Sequence, residues 1–272
     1  MLAALLEHNL CDDLAGALSL QELSLHYQPQ VDVRSGLIIG GEALVRWTHP
    51  TLGMVSPSQF IPMAEESGLM PILGEWILRA ACEQTHLCSV ATHVSLRVAV
   101  NLSPKQLDDV SFVQKVMDTL ERTSLHPDQL ELEIPERSFL DLNQRQLAIL
   151  NALRCLGVGI VLEDVGYVAA NLPLLLQMKF DKIKIDPILV RQGHSDADAQ
   201  NRIGVLVAYA RESSVKILAE GIETQEQFDW ICTQKPDEVQ GYFFGRPQPA
   251  HSVFTEYRSK VESVSAIKKN LF

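Results

Sequence analysis

A closed α/β barrel of the TIM type, (β/α)8, is the fold class this sequence predicts, and three observations predict it. Short apolar runs of strand length alternate with segments of helical periodicity, which implies βαβ units and a parallel sheet. About eight such strands fit into 272 residues, which favours closing the sheet over leaving it open and doubly wound. Glu42, Asn101, Glu133, Glu163, Glu220 and Gln240 each close one of these runs, and Lys184 joins them from a seventh. Polar groups at successive strand ends are how a barrel gathers a metal site at one mouth.

The elements follow in order. Met1 to Leu20 reads as an amphipathic helix. Glu22 to Asp32 (ELSLHYQPQVD) and Leu37 to Trp47 (LIIGGEALVRW) are strands joined by a turn at Arg34, Ser35 and Gly36. A long helical pattern runs from Pro71 to about Cys88. Leu96 to Asn101 (LRVAVN) is a strand stopped at Ser103 and Pro104, a helix-start signal. LELEIPE ends at Glu136, a helix runs from Asp141 to Leu156, and GIVLED ends at Asp164. The later strands are FDKIKID to Asp186, VKILAE to Glu220 and DEVQGYFF to Phe244, separated by helices at Ala197 to Glu212 and Thr224 to Thr233. Ala250 to Phe272 reads as a helix with a fraying tail. The expected organisation is a connecting helix over 1–20, one barrel domain over 21–250 and a tail over 251–272.

Composition narrows the function. With 46% hydrophobic and 21% charged residues the chain is an ordinary globular protein. A net charge of -11 leaves no basic face to displace counterions from DNA or RNA, although a small phosphate ligand needs only a metal or a few local cations. Five cysteines, odd in number and without CxxC spacing, argue against a disulfide framework and for a reducing cytoplasm. Apolar stretches such as Leu172 to Met178 are too short to cross a bilayer, so no membrane segment is expected in this chain. GxGxxG and GxxxxGK[ST] fingerprints are absent.

Carboxylates and one amide are oxygen ligands suited to hard divalent cations. Two such ions close together clamp both oxygens of an in-line phosphoryl displacement. Lys184 can orient water or stabilise phosphorane charge, and Arg46 offers a planar fork for a phosphate or a guanine edge. A single Glu at a strand end is most often solvated or ion-paired; seven polar groups in register reverse that balance. The eight histidines lie in no HExxH-like spacing, and Trp76 and Trp230 sit on helical patterns as core residues. Trp47, beside Arg46, is placed to brace it.

YQPQVDVRSGLIIGGEALVRWTHP resembles the opening of the EAL domain family of bacterial cyclic di-GMP phosphodiesterases, with Glu42, Ala43 and Leu44 spelling the motif. The likeness continues through PSQFIPMAEESGL, VAVNLSPKQL, LELEIPE, LGVGIVLEDVG, DKIKID, ILAEGIETQEQ and VQGYFFGRPQP, from about Leu5 to Pro249. The resemblance implies a modified β/α barrel that binds cyclic di-GMP and, in active members, hydrolyses it to pGpG with Mg²⁺ or Mn²⁺, Ca²⁺ being inhibitory. It implies metal ligation by Glu42, Asn101, Glu133 and Glu163, and catalytic roles for Lys184, Asp164, Glu220 and Gln240. Ligand contacts are implied for Gln28, Leu44, Arg46, Asn101, Asp164, Glu220 and Gln240, and a loop-anchoring role for Glu136. A homodimer, an upstream GGDEF or sensor domain reached through Leu5 to Leu20, and an effector protein are the partners it implies.

This chain departs from the family pattern at one loop. Where active members carry DDFGTGYSSL, it reads Glu163, Asp164, Val165, Gly166, Tyr167, Val168, Ala169, Ala170, Asn171 and Leu172. Glu in place of the first Asp adds one carbon–carbon bond of about 1.5 Å, large against the roughly 0.5 Å tolerance of a working site. Pro135 replaces the Thr usual before Glu136 and removes a backbone donor. Three readings compete: a degenerate domain that senses cyclic di-GMP without hydrolysing it efficiently, a competent phosphodiesterase using Glu163 as bridging ligand, and a protein-interaction module that has lost the nucleotide. Retention of the matched contacts argues against the third.

Overall fold

The computed structural model describes residues 2–166 and 178–256, with the side chains of residues 2–9 and 256 left aside. Strands β1 (Leu23–Asp32) and β2 (Ile38–His49) form an antiparallel hairpin, and β3 (Gly53–Val55) pairs antiparallel with the far end of β2. Parallel strands β4 (Arg97–Asn101), β5 (Leu130–Pro135), β6 (Gly159–Val165), β7 (Lys182–Ile185), β8 (Lys216–Ala219) and β9 (Glu238–Gln240) follow. The pairing order β1-β9-β8-β7-β6-β5-β4-β2, with β1 bonded to β2, closes eight strands into a barrel and leaves β3 as an appendage. β1 runs antiparallel to both neighbours, so the ring is a modified rather than a uniform β/α barrel. The cause is the short turn after Asp32, because a few residues can join only antiparallel strands.

Helices α1 (Leu2–Ala17), α2 (Pro57–Ser67), α3 (Met70–Thr92), α4 (Phe112–Thr123), α5 (Glu136–Leu140), α6 (Gln144–Cys155), α7 (Pro187–Gln192), α8 (Ala197–Ser213) and α9 (Gln225–Thr233) surround the strands. Period-2 alternation sorts the core. On β5, Leu130, Leu132 and Ile134 are buried and alternate with Glu131 and Glu133, and α6 packs against the neighbouring β6 with its Ile149, Leu150 and Leu153 buried. Gly40 is demanded by close approach, since a Cβ there would lie 2.3 Å from the Arg97 carbonyl on β4.

Several elements differ from expectation. The sequence did not predict α2, whose PSQFIPMAEES carries an internal Pro62 that masks the helical signal, nor the three-residue β3. The start signal at Ser103 opens a single 3₁₀ turn, Pro104–Asp108, closed by a capping box with Gln106. The last strand stops at Gln240, and Gly241 to Phe244 fold as a turn. Glu42 is not at a strand end: β2 continues seven residues to His49, because that extension pairs with β1 and β3 beyond the ring. Of the expected C-terminal helix, Ser252–Glu256 form one π-helical turn whose Phe254 packs edge-on to Tyr27, and residues 257–272 lie outside the described ones, as do Tyr167 to Gln177 of the altered loop. No helix among the described residues is long and apolar enough to cross a membrane.

Candidate active site

Lys184 organises the site. It stands on β7, buried at 1% exposure, and its Nζ lies 2.7 Å from Glu220, 2.8 Å from Glu133, 3.3 Å from Glu42 and 3.6 Å from Glu163. One ammonium thus faces four carboxylates brought in from β2, β5, β6 and the end of β8, an excess of three negative charges if all ionise. Those carboxylates hold the Lys184 ammonium well above its ordinary value against the opposing effect of burial.

The same crowding divides the acids. Burial favours a neutral Glu42, yet Lys184 and hydrogen bonds from Gln240 and Asn101 outweigh it and keep this carboxylate below its usual range. Burial and the facing carboxylates push Glu133 well up, Glu163 to about 8 and Glu220 to about 7, with Lys184 opposing each. Four such neighbours release protons as a set. Both oxygens of Glu133 are buried without an aligned hydrogen bond, its contact with Lys184 being an ion pair. A buried carboxylate without an aligned hydrogen bond, in an unbalanced anionic cluster, fits a divalent cation. Among the described residues no three metal-ligating side chains stand preassembled around one point, because the acids converge on the ammonium instead.

Amides orient the acids. Gln30 Nε2 donates to Gln240 Oε1 at 3.1 Å, and Gln240 Nε2 donates to Glu42 Oε2 at 2.6 Å and to Gln28 Oε1 at 3.3 Å. Asn101 Nδ2 donates to Glu42 Oε1 at 3.0 Å, so both oxygens of Glu42 are fixed. Gln30 was missed in the sequence, although it lies two residues beyond Gln28 on the same face of β1.

The end of β6 shows how neighbouring acids can share one mouth. In a regular strand Glu163 and Asp164 would point to opposite faces. The register between β6 and β7 shifts between Leu162 and Val165, and Asp164 takes φ +56°, a left-handed conformation. This is a β-bulge, and it turns both side chains into the same cavity. Burial and Asp186 raise the Asp164 carboxyl, with Lys184 and Arg137 opposing. Glu136 is buried and its Oε2 accepts from the Gly166 N–H at 3.3 Å, tying α5 to the backbone just past the bulge. Pro135 caps α5 while standing in register with Glu163.

A cavity of about 350 Å³ opens above Lys184, lined by Gln28, Glu42, Leu44, Glu163, Asp164, Glu220 and Gln240 among the expected residues. Arg46 and Asn101 stand outside that wall; Arg46 donates to its neighbour's carbonyl, and its charge is felt near Tyr242 and Glu42. Trp47 is fully buried with Nε1 donating to Glu22 at 3.0 Å, so it braces β2 from behind. Pro187, Arg191, Gly221, Glu223, Gly241 and Tyr242 also line the cavity and were not singled out from sequence, since each lies on a loop or short helix past a strand rather than on it.

Comparison with known proteins gives a coherent result. The model of the EAL domain matches residues 12–247. The bifunctional diguanylate cyclase/cyclic di-GMP phosphodiesterase MucR of Pseudomonas aeruginosa is 38% identical over 244 residues, covering 90% of this chain and 36% of that protein. The solved MucR phosphodiesterase in complex with cyclic di-GMP superposes with a TM-score of 0.84 at 38% identity, covering 90% of this chain and 99% of that one. BlrP1 of Klebsiella pneumoniae, solved with manganese and cyclic di-GMP, superposes with a TM-score of 0.74 at 28% identity, covering 84% of this chain and 56% of that one. The chain spans about a third of the length of the curated relatives it matches.

Proposed function

The chain belongs to the EAL domain family, and on that premise we propose that it binds cyclic di-GMP and hydrolyses it slowly or not at all. The observation that carries this reading is the gathering of Glu42, Glu133, Glu163 and Glu220 on Lys184 beneath an open cavity, with Glu163 the farthest of the four. Glu42, Asn101, Glu133 and Glu163 are the residues that would hold Mg²⁺ or Mn²⁺. A divalent ion bound there supplies Lewis acidity toward the phosphoryl oxygens.

The protein's own groups supply the rest. Lys184, held charged in a buried setting, offsets negative charge that builds on the phosphoryl group undergoing displacement. Glu220, with its carboxyl pushed to about 7, is suited to take up or release a proton near neutrality. Gln240, locked by Gln30, holds Glu42 in one orientation. Glu163 carries the weakness: its longer side chain displaces the carboxylate by about a bond length from where Asp would hold it, and a misplacement of that size is costly to positioning.

A competent phosphodiesterase is the second reading, favoured by the bulge that brings Glu163 and Asp164 into one cavity. Incubation with cyclic di-GMP and Mn²⁺, followed by chromatography for pGpG, separates the two. Turnover well below about 1 per second, with calorimetric binding in Ca²⁺ at micromolar affinity or tighter, is the expected result. Turnover at or above that rate establishes the second reading, and absence of binding overturns both.

A further inference from the structure

Helix α3 is apolar on two sides. Leu73, Ile77, Leu78, Ala81 and Cys82 are buried toward the barrel, as an amphipathic helix requires. Ile72, Trp76, Ala80, Leu87 and Val90 form a second stripe on the other side, and with Glu83 they fall within about 80° of one another at helical spacing. Ile72, Leu87 and Val90 are 60, 60 and 59% exposed, and Glu83 is exposed among them. A single exposed apolar residue needs no explanation, but a row of them along a 23-residue helix marks a docking face.

The chain's own C-terminal segment fits that face. The π-helical turn Ser252–Glu256 packs against both α3 and β1, so residue 257 sets out from beside this helix. Residues 257–272 lie outside the described ones, but their sequence, YRSKVESVSAIKKNLF, places Val261, Val264, Lys268 and Leu271 within about 80° of one another at helical spacing. Arg258, Lys260, Lys268 and Lys269 against Glu262 alone make the segment basic in a chain of net charge -11. Each stripe thus carries one charge, Glu83 on α3 and Lys268 on the tail, and the two are opposite in sign. Laid antiparallel with these two facing, the spacing sets Val261 on Val90, Val264 on Leu87 and Leu271 on Ala80, each apolar on both sides. Residues 257–260 then remain for the turn, a length that joins antiparallel helices. We propose that residues 261–272 form a helix docked antiparallel on the outer stripe of α3, in the register that pairs Lys268 with Glu83.

The docking is independent of the cavity and its ligand, and hydrogen exchange of the whole chain, read by mass spectrometry, tests it. A segment this short is marginal as a helix alone in water, so slow exchange within it reports docking. Residues 261–272 are expected to exchange slower by about tenfold or more in the whole chain than in the free peptide 257–272. Leu87→Glu, at a position too exposed for its replacement to threaten folding, is expected to return them to the peptide's rate. Carbodiimide coupling is expected to join Glu83 to Lys268 within one chain, a product lost in Glu83→Gln. Equal exchange in chain and peptide overturns the docking, as does slow exchange that Leu87→Glu leaves unchanged or the absence of the Glu83–Lys268 product. Coupling between light and heavy copies in an isotope-mixed sample overturns it in favour of a second copy as the occupant of the stripe.

Discussion

Two ion clusters occupy the barrel interior, one strand-pair of residues apart, and they are built to opposite rules. At the lower end Lys182 Nζ lies 2.6 Å from both Glu131 and Glu238, and Arg97 meets the same two acids at 2.9 and 2.6 Å. Two cations answer two anions, and Lys216 touches Glu238 only from the exposed side at 3.5 Å. Burial would favour a neutral Glu238, but Lys182 and Arg97 hold its carboxyl down to about 2. Two residues further along β5, β7 and β9 stand Glu133, Lys184 and Gln240, where one cation answers four acids. The same strands thus carry a charge-matched cluster suited to support and a charge-starved one suited to taking in a cation. The imbalance, not the presence of buried charge, separates a site from a scaffold.

The largest effect is expected from stripping each cluster of its lysine. Lys182→Met leaves Glu131 and Glu238 with Arg97 alone and should cost about 3–5 kcal/mol of stability, unchanged by added Ca²⁺. Lys184→Met should also destabilise, but Ca²⁺ should restore much of the loss by taking the lysine's place among the acids. Chemical denaturation with and without Ca²⁺ checks both, and equal behaviour of the two variants would break the comparison.

Ligand affinity sharpens it next. Arg46→Ala at the upper end should weaken cyclic di-GMP by about 1.5–3 kcal/mol through loss of a charge-assisted contact, read by calorimetry. An unchanged affinity would show that Arg46 does not reach the ligand.

The pH dependence of stability should run in opposite directions for the two ends. Glu163 and Glu220 titrate near 8 and 7 in the folded state and near 4.5 when unfolded, so between those values the folded protein holds more protons. Raising the pH through about 5 to 8 therefore lowers the stability of the metal-free protein, with a limiting slope of about 1.4 kcal/mol per pH unit for each proton. Glu238 runs the other way: its depressed carboxyl adds stability that is present above about 4.5 and lost as pH falls toward 2. Glu163→Gln should flatten the decline on the alkaline side, as denaturation at a series of pH values will show. A decline of undiminished slope in that variant would move its source away from the upper cluster.

The smallest effect is expected from the most conservative change. Glu163→Asp alone should recover little hydrolysis, while restoring residues 163–171 to the family pattern recovers more than the sum of its parts, since those residues act as one unit. Full restoration that leaves binding intact and activity absent would place the defect outside the loop, with Pro135, which stands in register with Glu163, the next residue to restore.

Much of the site was legible because strand chemistry is periodic. Glu42, Asn101, Glu133, Lys184 and Gln240 sit on strands, where the polar member of an apolar run announces an inward direction. By the same rule Glu131, Lys182 and Glu238, two residues before Glu133, Lys184 and Gln240, mark a second inward layer in the sequence. Arg191, Glu223 and Tyr242 carried no such signal, since loop residues have no period to betray their facing.

The sequence by itself determined the alternation that makes a β/α barrel, the hairpin turn that makes its first strand antiparallel, and the family to which the motifs belong. The first two follow from local propensity and spacing and the third from the motifs themselves, all of which a linear chain carries in full. Tertiary structure alone decided that four acids share one lysine, that a bulge turns Glu163 and Asp164 the same way, and that Glu163 is the most distant of the four. The reason is physical: ion-pair energies and pKa values depend on distances between residues far apart in sequence and on the water removed around them, and neither exists until the barrel closes.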